Sequence, residues 1–411
     1  MLFEKFFSFF KKLKSISLKP EPIQPVQGFS WMGINAGIKD GSLDFGVLAS
    51  KKPCSAAAVF TRNNLPGAPV IVGREHASSG ALQAVVVNSK CANVGLGEAG
   101  LEDARRMCRW TGEALGLAPE LVLPASTGVI GQPLPMERIR EGTLRIRDEL
   151  GESPELIEAF ARAIMTTDTR PKWRCTSSGK ASLLGVAKGA GMIEPDMATM
   201  LCFLVTDALF DSKELQPMLK RVVDASFNRI SIDTDTSTSD MVVLLANGQA
   251  EAVDPLIFEE SLTGLCRELA RDLVRDGEGV TKLLEVRVSG ATSPEMALSI
   301  GKSIVNSPLI KTAVHGADPN WGRFVMAVGK VFQHPVRLED LELRFGSGAE
   351  IQRVTAEQLS EGKVELESIR RLFEQDTVQV EVVVGRGDFI ETVWGCDLSK
   401  DYVDENAFYT T

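Results

Sequence analysis

Apolar positions along the chain fall into two patterns, which predict a mixture of strands and helices. Short apolar or alternating runs indicate strands, at residues 84–88, 121–125, 201–207, 241–246, 282–288 and 377–384. Helical periodicity predicts helices, at residues 101–116, 136–167, 212–227, 255–275 and 293–305. Because both kinds of element recur along the chain, the predicted fold class is α/β or α+β, with helices packed on sheets.

Composition narrows the function without defining it. The 411 residues suffice for one or two domains, and the net charge of −10 argues against a nucleic-acid partner. The seven cysteines include no C-x-x-C pair, and the three histidines include no H-x-x-x-H pair. These patterns favour a reduced, cytoplasmic setting and disfavour a zinc site or a histidine-based triad. No apolar run reaches the length of a transmembrane helix.

The first 27 residues differ in character from the rest. Residues 1–19 carry five lysines against one acidic residue, Glu4, and phenylalanines recur there with helical spacing. This pattern predicts a short basic amphipathic helix, followed by a proline-rich linker up to residue 27. We favour an extension without a membrane role, while contact with a membrane surface or partner and a targeting peptide stay open.

Two further patterns are better explained by turns than by binding sites. Ser178-Gly179-Lys180 resembles the end of a phosphate loop, but Arg174 and Ala181 occupy positions that such a loop requires to be Gly and Ser or Thr. The acidic residues near 233–240 lack the spacing of a calcium loop. We therefore interpret them as carboxylates that cap a turn.

The segment 188–201 (KGAGMIEPDMATML) carries the most specific candidate chemistry. A threonine hydroxyl is a weak nucleophile unless a base lies beside it, and an N-terminal threonine can use its own α-amine as that base. Cleavage between Ala198 and Thr199 would therefore create the nucleophile of an acyl-transfer enzyme. A glycine turn that leads into a strand explains the same residues, so this segment alone leaves both interpretations open.

Separate sequence blocks resolve this choice. The chain from about residue 28 to 411 resembles the ornithine acetyltransferase (glutamate N-acetyltransferase) family of arginine biosynthesis. The matching blocks occur in the same order as in the family, at residues 126–131 (STGVIG), 164–169 (IMTTDT), 188–201, 226–229 (SFNR), 276–279 (DGEG), 318–323 (DPNWGR) and 394–406 (WGCDL, DYV and the final Asn).

The resemblance implies a fold and a processing event. The expected fold is a layered α/β/β/α sandwich with a smaller C-terminal lobe near 285–411. After the extension 1–27, self-cleavage would separate an α chain, 28–198, from a β chain, 199–411. Two copies of each chain would then form a heterotetramer.

The resemblance also implies a reaction. Thr199 would take the acetyl group from N2-acetyl-L-ornithine and pass it to L-glutamate through an acetyl-threonine ester. No metal or organic cofactor is implied. Acetyl-CoA as a second acetyl donor stays open.

The family's site residues transfer to named positions of this chain. The oxyanion hole, which stabilises the negative oxygen of the intermediate, would consist of the Thr127 hydroxyl and the Gly128 N–H. Lys188 would hold the substrate carboxylate, and Glu278 would pair with the ornithine side-chain ammonium. Thr166, with Thr167 as the alternative, and the terminal residues Asn406 and Thr411 match the remaining substrate contacts.

The chain also departs from the family pattern. Lys90-Cys91 and Thr234 stand where the family usually has Gly-Asn and Gly, so the turns at Lys90 and Thr234 are expected to differ. Glu194 and Asp196 add negative charge, which is expected to raise the pKa of the Thr199 amine and slow catalysis. Two alternatives therefore stay open: a related self-processing aminopeptidase or amidohydrolase, and a non-catalytic binding protein descended from the enzyme.

Overall fold

The computed structural model describes residues 21–194, 200–348, 350–361 and 363–408, without the side chains at positions 359 and 360. The chain divides into two compact units. One unit comprises Glu21–Glu278 together with the chain from Asn406 onward, and the other comprises Gly279–Glu405. The predicted basic helix at residues 1–19 lies outside the described residues.

The first unit is built around one large sheet. Its strands are β1 (Phe29–Ile34), β2 (Phe45–Phe60), β3 (Ala81–Asn88), β4 (Val122–Ser126), β5 (Lys172–Ser178), β6 (Ala181–Lys188), β7 (Leu201–Thr206) and β8 (Met241–Ala246). Its helices are α1 (Ala68–Ala77), α2 (Gly97–Leu115), α3 (Met136–Leu144), α4 (Ile146–Glu149), α5 (Pro154–Ala163), α6 (Ser212–Asp224) and α7 (Pro255–Arg275).

The sheet has the strand order β4-β3-β2-β8-β7-β6-β5, and β1 pairs antiparallel with β2. Strands β3 and β4 are parallel, so their carboxyl ends lie at the same edge. Strands β6 and β7 are antiparallel, with Lys188 opposite Leu201. The segment 189–200 is therefore the connection between the end of β6 and the start of β7.

Both faces of this sheet are buried. On β3, Val85 and Val87 belong to one apolar cluster, while Ala84 and Val86 belong to another on the opposite face. Phe160 of α5 packs in the first cluster, and helix α2 contributes to the second. This explains why β3 is a continuous apolar run, because a strand covered on both sides has no solvent-facing positions.

The second unit has its own sheet and core. Its strands are β9 (Leu283–Ala291), β10 (Glu342–Ser347), β11 (Glu350–Thr355), β12 (Thr377–Val383) and β13 (Phe389–Cys396), in the order β11-β10-β12-β9-β13. Its helices are α8 (Pro294–Val305), α9 (Pro308–His315), α10 (Trp321–Gly329), α11 (Ala356–Glu361) and α12 (Leu366–Phe373), and the last helix of the chain is α13 (Lys400–Phe408). Along β12, the buried residues Val378, Val380 and Val382 alternate with half-buried Gln379 and Glu381, as their spacing predicts.

The α/β fold class is confirmed, since each unit combines a sheet with helices. The single helix predicted at 136–167 is wrong, because three helices, α3, α4 and α5, occupy this range. Leu150 takes an extended backbone, and Gly151 exchanges two backbone hydrogen bonds with Trp31. Pro154 then opens α5, as expected for a residue whose fixed φ and missing N–H suit a first helical position.

Lys90 and Thr234 both adopt a positive φ of the kind that favours glycine, +86° at Lys90 and +69° at Thr234. The expected difference from the family's turns stays a prediction. Backbone pairing holds the first turn, because Val129 N–H donates to the Lys90 carbonyl. The second turn is held next to Thr234, where Glu194 N–H donates to the Asp235 carbonyl. The surrounding backbone therefore imposes the positive φ at both positions, and the non-glycine side chains make this conformation strained.

Replacing Thr234 by glycine is expected to stabilise the protein. Thr234 is exposed and β-branched, and a branched side chain at positive φ is strained by about 1 kcal/mol or more. Thr234→Gly should raise the thermal unfolding midpoint by about 2 °C. Thr234→Val keeps the branch and should give no increase, whereas an equal rise in both variants would contradict the strain argument.

The described residues contain no helix long and apolar enough to cross a membrane. Within the same residues, no group of three or more His, Cys, Asp or Glu side chains is placed to hold a metal ion. The turn near residue 233 is instead a capping turn, as predicted. The Asp233 carboxylate accepts hydrogen bonds from the N–H groups of Met192 and Ile193, at 2.6 and 2.7 Å.

Candidate active site

Lys188 is the centre of the candidate site in the first unit. It is the last residue of β6 and is only 3% exposed. Its Nζ donates hydrogen bonds to the hydroxyl oxygens of Thr127 and Thr166, both at 3.0 Å. Burial lowers the pKa of Lys188, while Asp168 opposes that shift. Three residues predicted from separate sequence blocks thus meet around one buried ammonium.

This arrangement fixes the direction of two hydroxyl protons. An ammonium group has only donors, so the Thr127 and Thr166 oxygens must accept from it. The hydroxyl proton of each threonine is then available to a further acceptor. For Thr127, this is the orientation needed in a donor to a developing oxyanion.

Gly128 supplies a second donor beside Thr127. Its N–H makes no hydrogen bond to any residue in the described part of the chain. Its φ is +125°, and a Cβ there would lie 2.2 Å from the carbonyl carbon and oxygen of Lys90. Only glycine fits this position. Because β3 and β4 end at the same edge, the segment after Asn88 lies against Thr127, whose N–H donates to the Asn88 carbonyl at 3.1 Å.

A buried ionic network joins the chain segments that carry the candidate site residues. The sequence analysis did not identify this network. Asp168 accepts hydrogen bonds from Lys172 Nζ at 2.6 Å, from Gly189 N–H at 2.6 Å and from Thr166 N–H at 3.0 Å. Lys172 Nζ also lies 2.5 Å from a carboxylate oxygen of Asp276. Asp168 thereby ties the two chain segments that carry Thr166 and Lys188.

The charges of this network stabilise one another. Burial alone would raise the pKa of Asp168, but the ammonium groups of Lys172 and Lys188 outweigh it and hold that pKa well below its usual range. Burial opposes the charge of Lys172, and Asp168 and Asp276 more than compensate, so the pKa of Lys172 is raised. Two signals were available in the sequence: Asp168 and Asp276 both fall in the resemblance blocks, and Lys172 follows Asp168 by four residues.

Glu278 forms a second part of the site. Its carboxylate is buried and accepts a hydrogen bond from the Asn406 side-chain amide at 2.8 Å. Its N–H donates to the Ala190 carbonyl at 2.9 Å, which places it beside the β6–β7 connection. A Cβ on Gly191 would lie 2.5 Å from the Glu278 carboxylate. The predicted residues Glu278 and Asn406 are therefore adjacent, next to the glycine turn that follows Lys188.

The candidate nucleophile Thr199 and its neighbour Ala198 lie outside the described residues, as do Asp196 and Thr411. The next residue, Met200, has both its backbone N–H and its backbone carbonyl hydrogen-bonded. Its N–H donates to Asp240 Oδ1 at 2.7 Å, and its carbonyl accepts from Met241 N–H at 3.1 Å. Burial raises the pKa of Asp240 well above its usual range, against the opposing effect of the Met200 N–H.

Glu194 lies at the last described position before the gap. Its backbone carbonyl accepts a hydrogen bond from the Thr236 hydroxyl at 3.1 Å, and its carboxylate accepts one from the Ser231 hydroxyl at 3.3 Å. The Glu194 carboxylate is therefore engaged by the segment that precedes β8. Its predicted effect on the Thr199 amine stays a prediction.

The site combines features of an acyl-transfer enzyme: two donors suited to an oxyanion, a buried cation suited to a carboxylate, and a buried carboxylate suited to an ammonium. The sequence of the chain identifies its family. The ArgJ family model matches residues 30–411, and the chain belongs to this family. This confirms the resemblance drawn from the sequence blocks.

Named relatives are similar over most of their length. The arginine biosynthesis bifunctional protein ArgJ 2 of Clostridium acetobutylicum is 45% identical over 388 residues, which cover 93% of this chain and 97% of that protein. The glutamate N-acetyltransferase Oat2 of Streptomyces clavuligerus is 46% identical over 373 residues, which cover 90% and 94%. A crystal structure of the arginine biosynthesis bifunctional protein from Bacillus halodurans is 39% identical, with a TM-score of 0.40, and covers 43% of this chain and 92% of that chain.

Proposed function

We propose that this enzyme transfers the acetyl group of N2-acetyl-L-ornithine to L-glutamate through an acetyl ester on Thr199. The observation that carries the proposal is the group around Lys188. Its ammonium bonds to two threonine hydroxyls and leaves their protons available, and the Gly128 N–H lies beside Thr127. Family membership and the names of the relatives support the same reaction.

Each half-reaction uses the same residues. The freed α-amine of Thr199 has an ordinary pKa of about 8 and accepts the hydroxyl proton as Thr199 attacks the acetyl carbonyl. Thr127 and Gly128 donate to the oxyanion, and Lys188 binds the α-carboxylate. The amide C–N bond then breaks, the Thr199 ammonium returns its proton to the departing ornithine nitrogen, and the side-chain ammonium of ornithine lies near Glu278 and Asn406. Glutamate then attacks the ester, and its amine carries the acetyl group away.

We further propose how the active protein is assembled. The Ala198–Thr199 bond is cleaved by the chain itself, so that residues 1–198 and 199–411 become two chains. Two copies of each form a cytoplasmic heterotetramer. Thr166 and Thr411 complete the substrate contacts. The proposed reaction uses no resident cofactor.

A product assay tests the proposed function. The purified protein is incubated with acetylornithine, with and without glutamate, and the products are separated by chromatography. We expect acetylglutamate and ornithine in equal amounts when glutamate is present. Release of acetate that does not depend on glutamate would instead identify a hydrolase. An intact chain without any turnover would identify a binding protein.

A further inference from the structure

Two lysines near the site are sheltered from water and lack a carboxylate partner. Lys188 is buried and bonds to two hydroxyls, while Lys39 is half-buried and its Nζ donates to the Met165 carbonyl at 2.5 Å. Neither ammonium has a carboxylate oxygen within 4.0 Å in the described parts of the chain. A desolvated ammonium that is not directly paired with a carboxylate is unfavourable, so this arrangement favours a ligand that supplies a negative charge.

The position of Lys39 is fixed by its own backbone. The Asp44 carboxylate accepts hydrogen bonds from the N–H groups of Ala36, Ile38 and Lys39, each at 2.7 Å. This carboxylate therefore caps the turn between β1 and β2 and does not bond to the Lys39 ammonium. The turn directs Lys39 to the carbonyl of Met165, which immediately precedes Thr166, the partner of Lys188.

The electrostatic surroundings of Lys39 come from four segments. Burial and the Lys188 ammonium lower the pKa of Lys39 to about 8, and Lys90 acts in the same direction. Asp44 and Asp168 oppose the shift. Lys39 is therefore mostly charged at neutral pH, and it loses its proton just above neutrality.

We propose that Lys39 binds the side-chain carboxylate of the acyl acceptor and so selects a dicarboxylic amino acid in the second half-reaction. This inference rests on the proposed function. The leaving product has a cationic side chain and the incoming acceptor an anionic one, so one site must serve opposite charges. Glu278 suits the cation and repels the anion, whereas the ammonium of Lys39 has the charge that the acceptor requires.

The test compares two acceptors on one acetyl-enzyme. Ornithine is measured by exchange of labelled ornithine into acetylornithine, and glutamate by formation of acetylglutamate. In Lys39→Met, we expect the ratio of kcat/KM for glutamate to that for ornithine to fall at least about tenfold. The retained ornithine exchange shows that the variant is folded. Lys39→Arg keeps the charge and should keep most of the ratio.

Lys52→Met is the matched control, because Lys52 is an exposed lysine on β2, and it should leave the ratio unchanged. An unchanged ratio in Lys39→Met, or an equal loss for both acceptors, would overturn the proposal. Glutamine gives an independent measure, since its side chain has a similar shape without the charge. The preference of the wild type for glutamate over glutamine should narrow in Lys39→Met. Failure of the wild type to exchange ornithine would count against the proposed function itself.

The pH dependence gives a readout that a purely structural lysine would not produce. As pH rises from about 7 to about 9, Lys39 loses its charge, so the glutamate-to-ornithine ratio of the wild type should fall. The ratio in Lys39→Met should be flat over the same range. A flat ratio in the wild type, or parallel slopes in the two proteins, would contradict the assignment of Lys39.

Discussion

Thr127→Val should lower kcat for acetyl transfer by about two to three orders of magnitude, with little change in KM. Valine has nearly the shape of threonine and removes only the hydroxyl. In the wild type this hydroxyl accepts from Lys188 and so has its proton available for the oxyanion of the intermediate. The lost interaction exists in the transition state and hardly at all in the ground state, and for this reason kcat is the affected constant.

Thr166→Val separates this effect from a disturbance of Lys188. It removes the other hydroxyl that accepts from the same ammonium at the same distance of 3.0 Å. We expect Thr166→Val to act chiefly on KM, because Thr166 is a predicted substrate contact, and Thr127→Ser to retain most of the activity. Equal losses of kcat in the two valine variants would contradict an oxyanion role for Thr127.

Asp168→Asn should lower the free energy of unfolding by about 3 kcal/mol. The substitution keeps the shape of the side chain and removes a negative charge that is fully buried between Lys172 and Lys188. Lys172 would then keep one paired carboxylate, Asp276, and Lys188 would lose the negative charge that most favours its protonated form. Chemical unfolding measures the change. Asp40→Asn, at an exposed position, is the control and should change the stability by less than about 0.5 kcal/mol.

The direction of the pKa shift of Asp168 determines how the difference in stability between wild type and Asp168→Asn depends on pH. The pKa of Asp168 is held well below its usual range in the folded protein, so its contribution is present above the unfolded pKa of about 4 and is lost as pH falls further. The difference in stability between wild type and Asp168→Asn should therefore be largest near neutrality and shrink below about pH 4. A difference in stability that stays unchanged as pH falls well below about 4 would contradict the ionic network.

Local sequence patterns predicted the strands and helices that a large core covers along their whole length. The apolar run at 241–246 and the helix at 255–275 have the predicted bounds, because each is covered along its length by a large core. The long strand β2 was missed, since its apolar residues are interrupted by Lys51, Lys52 and Pro53, where its pairing with β3 shifts register. The helix predicted at 136–167 failed because Gly151 pairs with Trp31, a contact between distant parts of the chain.

In the candidate site, too, some residues could be predicted from the sequence and others could not. Resemblance blocks identified Thr127, Thr166 and Lys188, and the structure brings these residues together. Asp168 and Lys39 were missed because their importance depends on what surrounds them. Asp168 fell in a resemblance block, but its contacts with two chain segments become visible only in the structure. The same holds for Lys39, whose burial and lack of a directly paired carboxylate in the described residues depend on distances.

The most direct test of the central claim is the mass of the peptide that begins at Thr199. The purified protein is incubated with acetylornithine alone, quenched in acid, digested and analysed by mass spectrometry. We predict a chain that begins Thr-Met-Leu-Cys and carries one acetyl group, which disappears when glutamate is added before the quench. An uncleaved Ala198–Thr199 bond, or a processed Thr199 that never gains the acetyl group, would contradict the account.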